Sequence, residues 1–189
     1  MNSHDVLQLF RDSGALLEGH FKLTSGLHSA RYLQSALVLQ HPQHAETLGR
    51  ALAEKLGDLK PTVVLSPALG GLIIGHEVAR GLGVRAIFAE RVDGALALRR
   101  GFSVTPADRV VIIEDVVTTG KSTRETVDVA LHAGAAVVGA GSIIDRSGGH
   151  SNLDVPFRPL VTLTVATHDP ADCPMCAAGQ PVVKPGSRA

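Results

Sequence analysis

Four consecutive β-branched residues, Val110-Val111-Ile112-Ile113, stand between Arg109 and the acids Glu114 and Asp115. A run with no polar face must be covered on both sides, as in a parallel strand sandwiched between helices. Thr118, Thr119, Gly120, Lys121 and Ser122 follow as a small, hydroxyl-rich turn, and then Thr123, Thr126, Val127, Ala130 and Leu131 recur at helical spacing. The pattern predicts a strand over 110–114 and a helix over about 122–133. Ligands of open α/β sheets sit beyond the carboxyl ends of the strands, so this junction is where chemistry is expected.

The residue types narrow that chemistry. Backbone N–H groups from Thr118 to Ser122 converge at a helix N-terminus, where the dipole favours an anion and the hydroxyls add donors. Glu114 and Asp115 offer acceptors to a sugar diol, directly or through a metal. Gly120-Lys121-Ser122 ends like a nucleotide-binding P-loop, but that motif needs glycine five residues before the Gly-Lys pair. Asp115 occupies that position, which excludes it.

The rest of the chain supplies the sheet that such a unit needs. After Pro61 the pattern alternates: strand 62–66, helix 72–81, strand 84–90, a long polar loop, the run at 110–114, helix 122–133, strand 136–144 and a last strand near 160–165. Before it, Ser3 caps a first helix that ends at Ser13-Gly14, β-like pieces at 20–24 and 30–33 suggest a small hood, and Pro42 opens a helix through Leu56. The division predicted is residues 1–40 for helix and hood, 41–170 for the α/β core and 171–189 for a C-terminal tail, whose finish from Gln180 reads as extended. With 189 residues the chain is long enough for one real core.

Eighteen basic and eighteen acidic residues balance, which argues against a general nucleic-acid binder or a membrane-surface protein. No apolar run reaches the ~20 residues of a membrane helix. The N-terminus does not read as a signal peptide, and a cytoplasmic chain with reduced thiols is expected. Cys173 and Cys176 are the only cysteines. With His168 and Asp169 nearby they suggest a metal only weakly, because a structural zinc site usually needs four ligands, and the expectation is no protein-held metal.

Three further loops fall at strand ends. Ser66-Pro67-Ala68-Leu69-Gly70-Gly71 lets backbone approach a ligand closely. Glu90 to Phe102 carries Arg91, Arg99 and Arg100 and reads as a mobile lid over an anion. Asp145-Arg146 ends another strand, where Arg146 forms either a plain ion pair with Asp145 or a planar fork for a carboxylate or carbonyl edge.

Gly19-His20-Phe21-Lys22-Leu23-Thr24-Ser25-Gly26 with Arg31-Tyr32, the 66–71 loop, the arginine loop, the 114–123 signature and Asp145-Arg146 together resemble the bacterial orotate phosphoribosyltransferases. The resemblance implies a type I phosphoribosyltransferase-like α/β fold, a parallel sheet core flanked by helices with a small N-terminal hood. It implies Mg²⁺-dependent transfer of ribose 5-phosphate from phosphoribosyl diphosphate (PRPP) to orotate, in a homodimer with shared active sites. On that basis Thr118 to Ser122 hold the 5′-phosphate and Glu114 and Asp115 the ribose hydroxyls, with Val116 and Val117 in the same substrate-binding stretch. Ala68, Leu69 and Gly70 meet diphosphate, Arg91 with Arg99 or Arg100 serves the partner subunit's site, and Thr24 and Arg146 contact substrate, Asp115 and Arg91 being the catalytic pair.

Many relatives carry lysine at Thr24, Tyr-Lys at Leu69-Gly70 and lysine near Ala95, so contacts made by those lysines do not carry over. Another nucleobase acceptor, or a non-catalytic PRPP-binding regulator, is the alternative.

Overall fold

The run at 110–113 becomes the centre of a six-stranded sheet in the computed structural model, which describes residues 1–23 and 25–185. The elements are α1 (Ser3–Asp12), β1 (Leu16–Lys22), β2 (His28–Leu33), α2 (Ser35–Leu39), α3 (Pro42–Leu56), β3 (Val63–Pro67), α4 (Gly71–Leu82), β4 (Arg85–Val92), β5 (Ala95–Leu98), β6 (Arg109–Val117), α5 (Lys121–His132), β7 (Ala136–Asp145), β8 (Phe157–Thr162), β9 (Thr167–His168) and α6 (Pro174–Ala177). Strand order is β5-β4-β3-β6-β7-β8, parallel except for the β4–β5 hairpin.

Val110, Val111, Ile112 and Ile113 are fully buried, and strand periodicity divides them between two cores. Val111 and Ile113 join Val64, Ile74, Leu48, Leu52 and Phe10, under α1, α3 and α4. Val110 and Ile112 join Val63, Leu65, Ala140 and Ala130, under α5. Each buried aliphatic side chain contributes roughly 1.5–3 kcal/mol, so the central strands are firmly placed by both layers.

Four expectations need correction. Strand β6 runs on to Val117, because Val116 and Val117 pair with Ile144 and Asp145 of β7; the acids lie within the strand, and the turn starts three residues later. The segment 90–102 is partly a β-hairpin, whose turn residues Asp93 and Gly94 both have positive φ, 50° and 88°, the signature of the tight turns that fit strand twist. Asn2 rather than Ser3 caps α1, accepting from the Asp5 amide while Asp5 accepts from its own, each at 3.0 Å. The last core strand, β8, starts earlier than 160.

The hood is a separate antiparallel sheet of order β1-β2-β9. Its free edge is not left bare. Val183 pairs in parallel with Phe21, donating to the His20 carbonyl at 2.8 Å and accepting from the Lys22 amide at 2.9 Å. Val183, which follows the short helix α6, is thereby joined to the hood. No helix among the described residues is long and apolar enough to cross a membrane.

Candidate active site

Strand order reverses at the sheet's centre, since the chain leaves β3 toward β4 on one side and returns as β6 on the other. Loops leaving the carboxyl ends of β3 and β6 therefore diverge around a crevice, the place where open α/β sheets bind ligands. Because β3, β4, β6 and β7 are parallel, the same edge gathers the 68–70 loop, Arg91, the 118–122 turn and Arg146. Residues scattered over eighty positions share one rim.

The turn after β6 is a nest of donors. Gly120 caps α5 at φ 73°, and a Cβ there would sit 2.6 Å from the Ser151 carbonyl, so only glycine fits without displacement. Among the described residues the amides of Thr119, Gly120 and Ser122 meet no protein acceptor, while that of Lys121 reaches Thr119 Oγ1 only at 3.4 Å. Unpaired N–H groups at a helix N-terminus form an anion site. Arg124 backs this turn by donating to the Ser151 and Asn152 carbonyls at 2.9 and 3.4 Å.

The two acids differ in environment. Glu114 is buried, and burial first, then the charge of Asp115 beside it, pushes its carboxyl well above the usual range. Asp115 is only partly buried and faces the first loop: a Cβ on Gly70 would come within 2.7 Å of its Oδ1. That loop is tied down by the Ala68 amide, which donates to the Ala89 carbonyl at 2.8 Å, and its Ala68–Leu69 peptide is cis. Leu69 projects outward, 82% exposed.

The hairpin arginines are held within this chain. Arg91 donates to the Gly94 carbonyl and to Glu125 of α5, both at 2.6 Å, and Arg100 forms a fork with Glu90 at 2.9 and 3.0 Å while lying over Phe88. Arg99 forms no ion pair among the described residues. Thr24 lies outside the described residues. A concavity of about 620 Å³ runs between β5 and α5; it carries none of the unpaired donors, and the chemistry is expected instead in the open crevice.

Asp145 and Arg146 do not pair. Asp145 is buried and accepts from the Ser147 amide and hydroxyl at 2.8 and 2.6 Å and from the Gly149 amide at 3.1 Å. It shapes its own loop, an Asx-turn that Asp-x-Ser-x-Gly foreshadows. Arg146 is left half-buried with no side-chain acceptor among the described residues, and burial lowers the pKa of its guanidinium, the Tyr32 phenol of the hood opposing this. A desolvated fork without a carboxylate is poised for an external anion.

A model of the phosphoribosyl transferase domain matches residues 35–170. The chain belongs to the phosphoribosyltransferase family. It is 52% identical to an orotate phosphoribosyltransferase of Heliobacterium modesticaldum, covering 100% of both chains. It is also 52% identical to one of Carboxydothermus hydrogenoformans, covering 97% of each. The fold matches that of the Mycobacterium tuberculosis H37Rv orotate phosphoribosyltransferase with a TM-score of 0.70 at 23% identity, over 84% of this chain and 94% of that one. The stretch matched to the phosphoribosyltransferase family includes β6 and the turn after it, and the supports that sequence patterns missed are Arg124 behind the turn and Ser147 and Gly149 under Asp145.

Proposed function

We propose that this chain is an orotate phosphoribosyltransferase, an enzyme transferring ribose 5-phosphate from PRPP to N1 of orotate in the route to UMP. The observation that carries the choice of acceptor is Arg146, a half-buried guanidinium with no carboxylate partner among the described residues, at the rim of the sheet within electrostatic reach of the hood's Tyr32. A planar bidentate donor suits the carboxylate of orotate, a group that purine acceptors lack.

The residues divide the labour. The amides of Thr119, Gly120 and Ser122, with the hydroxyls of Thr118 and Thr119, hold the 5′-phosphate. Glu114 and Asp115 accept hydrogen bonds from the ribose hydroxyls, and the negative charge of Asp115 favours the positive character that the ribose gains as its bond to diphosphate breaks. The new C–N bond forms with inversion. Backbone at Ala68, Leu69 and Gly70 approaches the diphosphate, with Gly70 kept bare by its contact with Asp115.

Mg²⁺ fits this donor set, because it favours one or two carboxylates together with substrate phosphate oxygens over an all-protein cage. Asp115 and Glu114 would supply the carboxylates, and the ion when bound would neutralise charge on the leaving diphosphate. Arg91, Arg99 and Arg100 add cations from the hairpin, acting in a homodimer across the subunit boundary. Arg91 gives up its Glu125 pair to do so at little expense, since such exposed pairs contribute only roughly 0–1 kcal/mol.

Purified protein supplied with PRPP, Mg²⁺ and a panel of bases tests the reading. Orotate should be consumed and diphosphate released, with adenine, guanine, hypoxanthine and uracil inert. Turnover of a purine, or none of any base, would overturn it.

A further inference from the structure

In the hood, two histidines and both cysteines converge. His20 Nε2 lies 2.8 Å from His28 Nδ1 and 3.5 and 3.7 Å from the sulfurs of Cys173 and Cys176, and Cys176 Sγ is 3.3 Å from His28 Nδ1. All four donor atoms fall within 4.8 Å of one another. Among the described residues this is the one such cluster. We propose that His20, His28, Cys173 and Cys176 bind a structural zinc-class divalent cation that staples the C-terminal segment to the hood.

Geometry is the first support. With metal–nitrogen bonds of about 2.0–2.1 Å and metal–sulfur bonds of about 2.3 Å, tetrahedral coordination separates nitrogen from sulfur by about 3.6 Å and nitrogen from nitrogen by about 3.3 Å. The nitrogen–sulfur distances of 3.3, 3.5 and 3.7 Å scatter around that edge. The two ring nitrogens, at 2.8 Å, need to part by about half an ångström to admit the ion.

Protonation is the second. His20 Nδ1 lies 2.9 Å from the Gln180 carbonyl, and a carbonyl only accepts, so Nδ1 carries the proton. In the neutral ring, Nε2 then turns its lone pair toward the cluster. A ligating histidine held by a backbone carbonyl through its other nitrogen is the usual arrangement around a bound metal.

The third support is placement. His20, His28 and Cys173 are buried, at 4%, 6% and 2% exposure, while Cys176 lies at the surface, so the cluster has an open side for entry. Cys-x-x-Cys presents both sulfurs from one turn, where Pro174 opens α6 at Cys173. Two thiolates and two imidazoles select zinc over magnesium, which prefers oxygen. Four protein ligands close the coordination sphere, which makes the ion structural and not catalytic.

Its consequence falls on the hood. His20 ends in the bulged part of β1, His28 begins β2 and pairs with His168 of β9, and Gln180 leads to Val183 beside Phe21. The ion would thus tie β1 and β2 to the C-terminal segment, joining groups 145–156 residues apart in sequence.

Untagged protein produced with zinc in the medium, then dialysed, should retain about one zinc per chain by mass spectrometric metal analysis. Cobalt(II) added to the metal-free wild type should give the intense visible bands of a tetrahedral site and a thiolate charge-transfer band. Cys176→Ser, at the exposed ligand, should lower zinc affinity at least about tenfold and lose the charge-transfer intensity of one thiolate while its far-ultraviolet circular dichroism stays wild-type. Stripping zinc from the wild type should expose residues 170–185 to proteolysis.

Wild-type protein that retains no zinc and gives no cobalt–thiolate band would overturn the proposal, whatever any variant does. So would a Cys173–Cys176 disulfide in protein isolated under reductant.

Discussion

The rim of the central sheet and the hood above it are built in opposite ways. The rim's acids, turn and helix start come from one uninterrupted stretch, 109–124, and each part follows from its neighbours: a buried strand, a glycine at φ 73°, a helix N-terminus. The hood assembles β1, β2, β9 and Val183 from both ends of the chain, and its internal bonds join His20 to Gln180 and Phe21 to Val183. Local order can be read from sequence because its causes are local. Long-range order cannot, because loop closure and partner choice leave no periodic trace.

If the rim is a locally built catalytic unit, altering it should remove activity and spare the fold. Asp115→Asn keeps the shape and loses the charge. A charged hydrogen bond contributes roughly 1.5–3 kcal/mol, and two to a diol imply a drop in kcat/KM for PRPP of about 10²-fold or more, with melting temperature unchanged. Arg91→Ala should be comparably inactive alone. Subunits exchanged between the two variants should recover as much as about half the activity per heterodimer if the hairpin acts across the interface. No recovery in verified heterodimers would show that each hairpin serves its own chain.

Arg146 links the two regions, since it stands at the rim and its guanidinium feels the phenol of the hood's Tyr32. Arg146→Ala should raise the KM for orotate by roughly 10- to 100-fold, the value of one or two charged hydrogen bonds, and leave that for PRPP nearly constant. Steady-state kinetics with each substrate varied in turn separates the outcomes. Equal changes in both constants would assign Arg146 to the architecture of the rim.

Much of the rim was legible. The buried run, the helix after it and the glycine turn follow from residue type alone, and the alternating pattern after Pro61 predicts the parallel sheet. Boundaries drifted where propensity and pairing disagree: Glu114 and Asp115 look like strand terminators, yet β7 extends the ladder through Val117. Asp93-Gly94 was a hairpin signal hidden inside a charged loop. In the hood, Cys173-Pro174-Met175-Cys176 showed two ligands, and nothing in their spacing pointed back to His20 and His28.

Gly120→Ala sharpens the contrast on the rim's side. A non-glycine residue held at φ 73° costs of order 1–3 kcal/mol, and its Cβ would press on the Ser151 carbonyl. The expected result is a modestly lowered melting temperature together with weaker binding of ribose 5-phosphate or inorganic phosphate, measured by calorimetry. Stability lost without any change in phosphate affinity would take the anion site off this turn.

The smallest effect concerns Glu114, where function and stability should oppose each other. Burial and the neighbouring Asp115 raise its pKa in the folded chain above the ordinary value of 4.5, so the folded state holds this proton more tightly than the unfolded one. The stability linked to it is complete below the ordinary carboxylate range and is lost as pH rises through the raised folded value. At neutral pH, then, the unfolded chain gains more from ionising this acid than the folded one does, and Glu114→Gln, which keeps an acceptor for the Asp115 amide, should be more stable than wild type. That gain should shrink toward zero as the pH is lowered to about 3, where the glutamate is protonated in both the folded and the unfolded chain. The same variant should bind PRPP less well, because the acid that strains the free protein is the one the ribose hydroxyls and magnesium reward. Chemical denaturation at a series of pH values decides it: a stability difference that is constant with pH would mean that Glu114 titrates normally, and that the rim stores no electrostatic strain for its substrate to relieve.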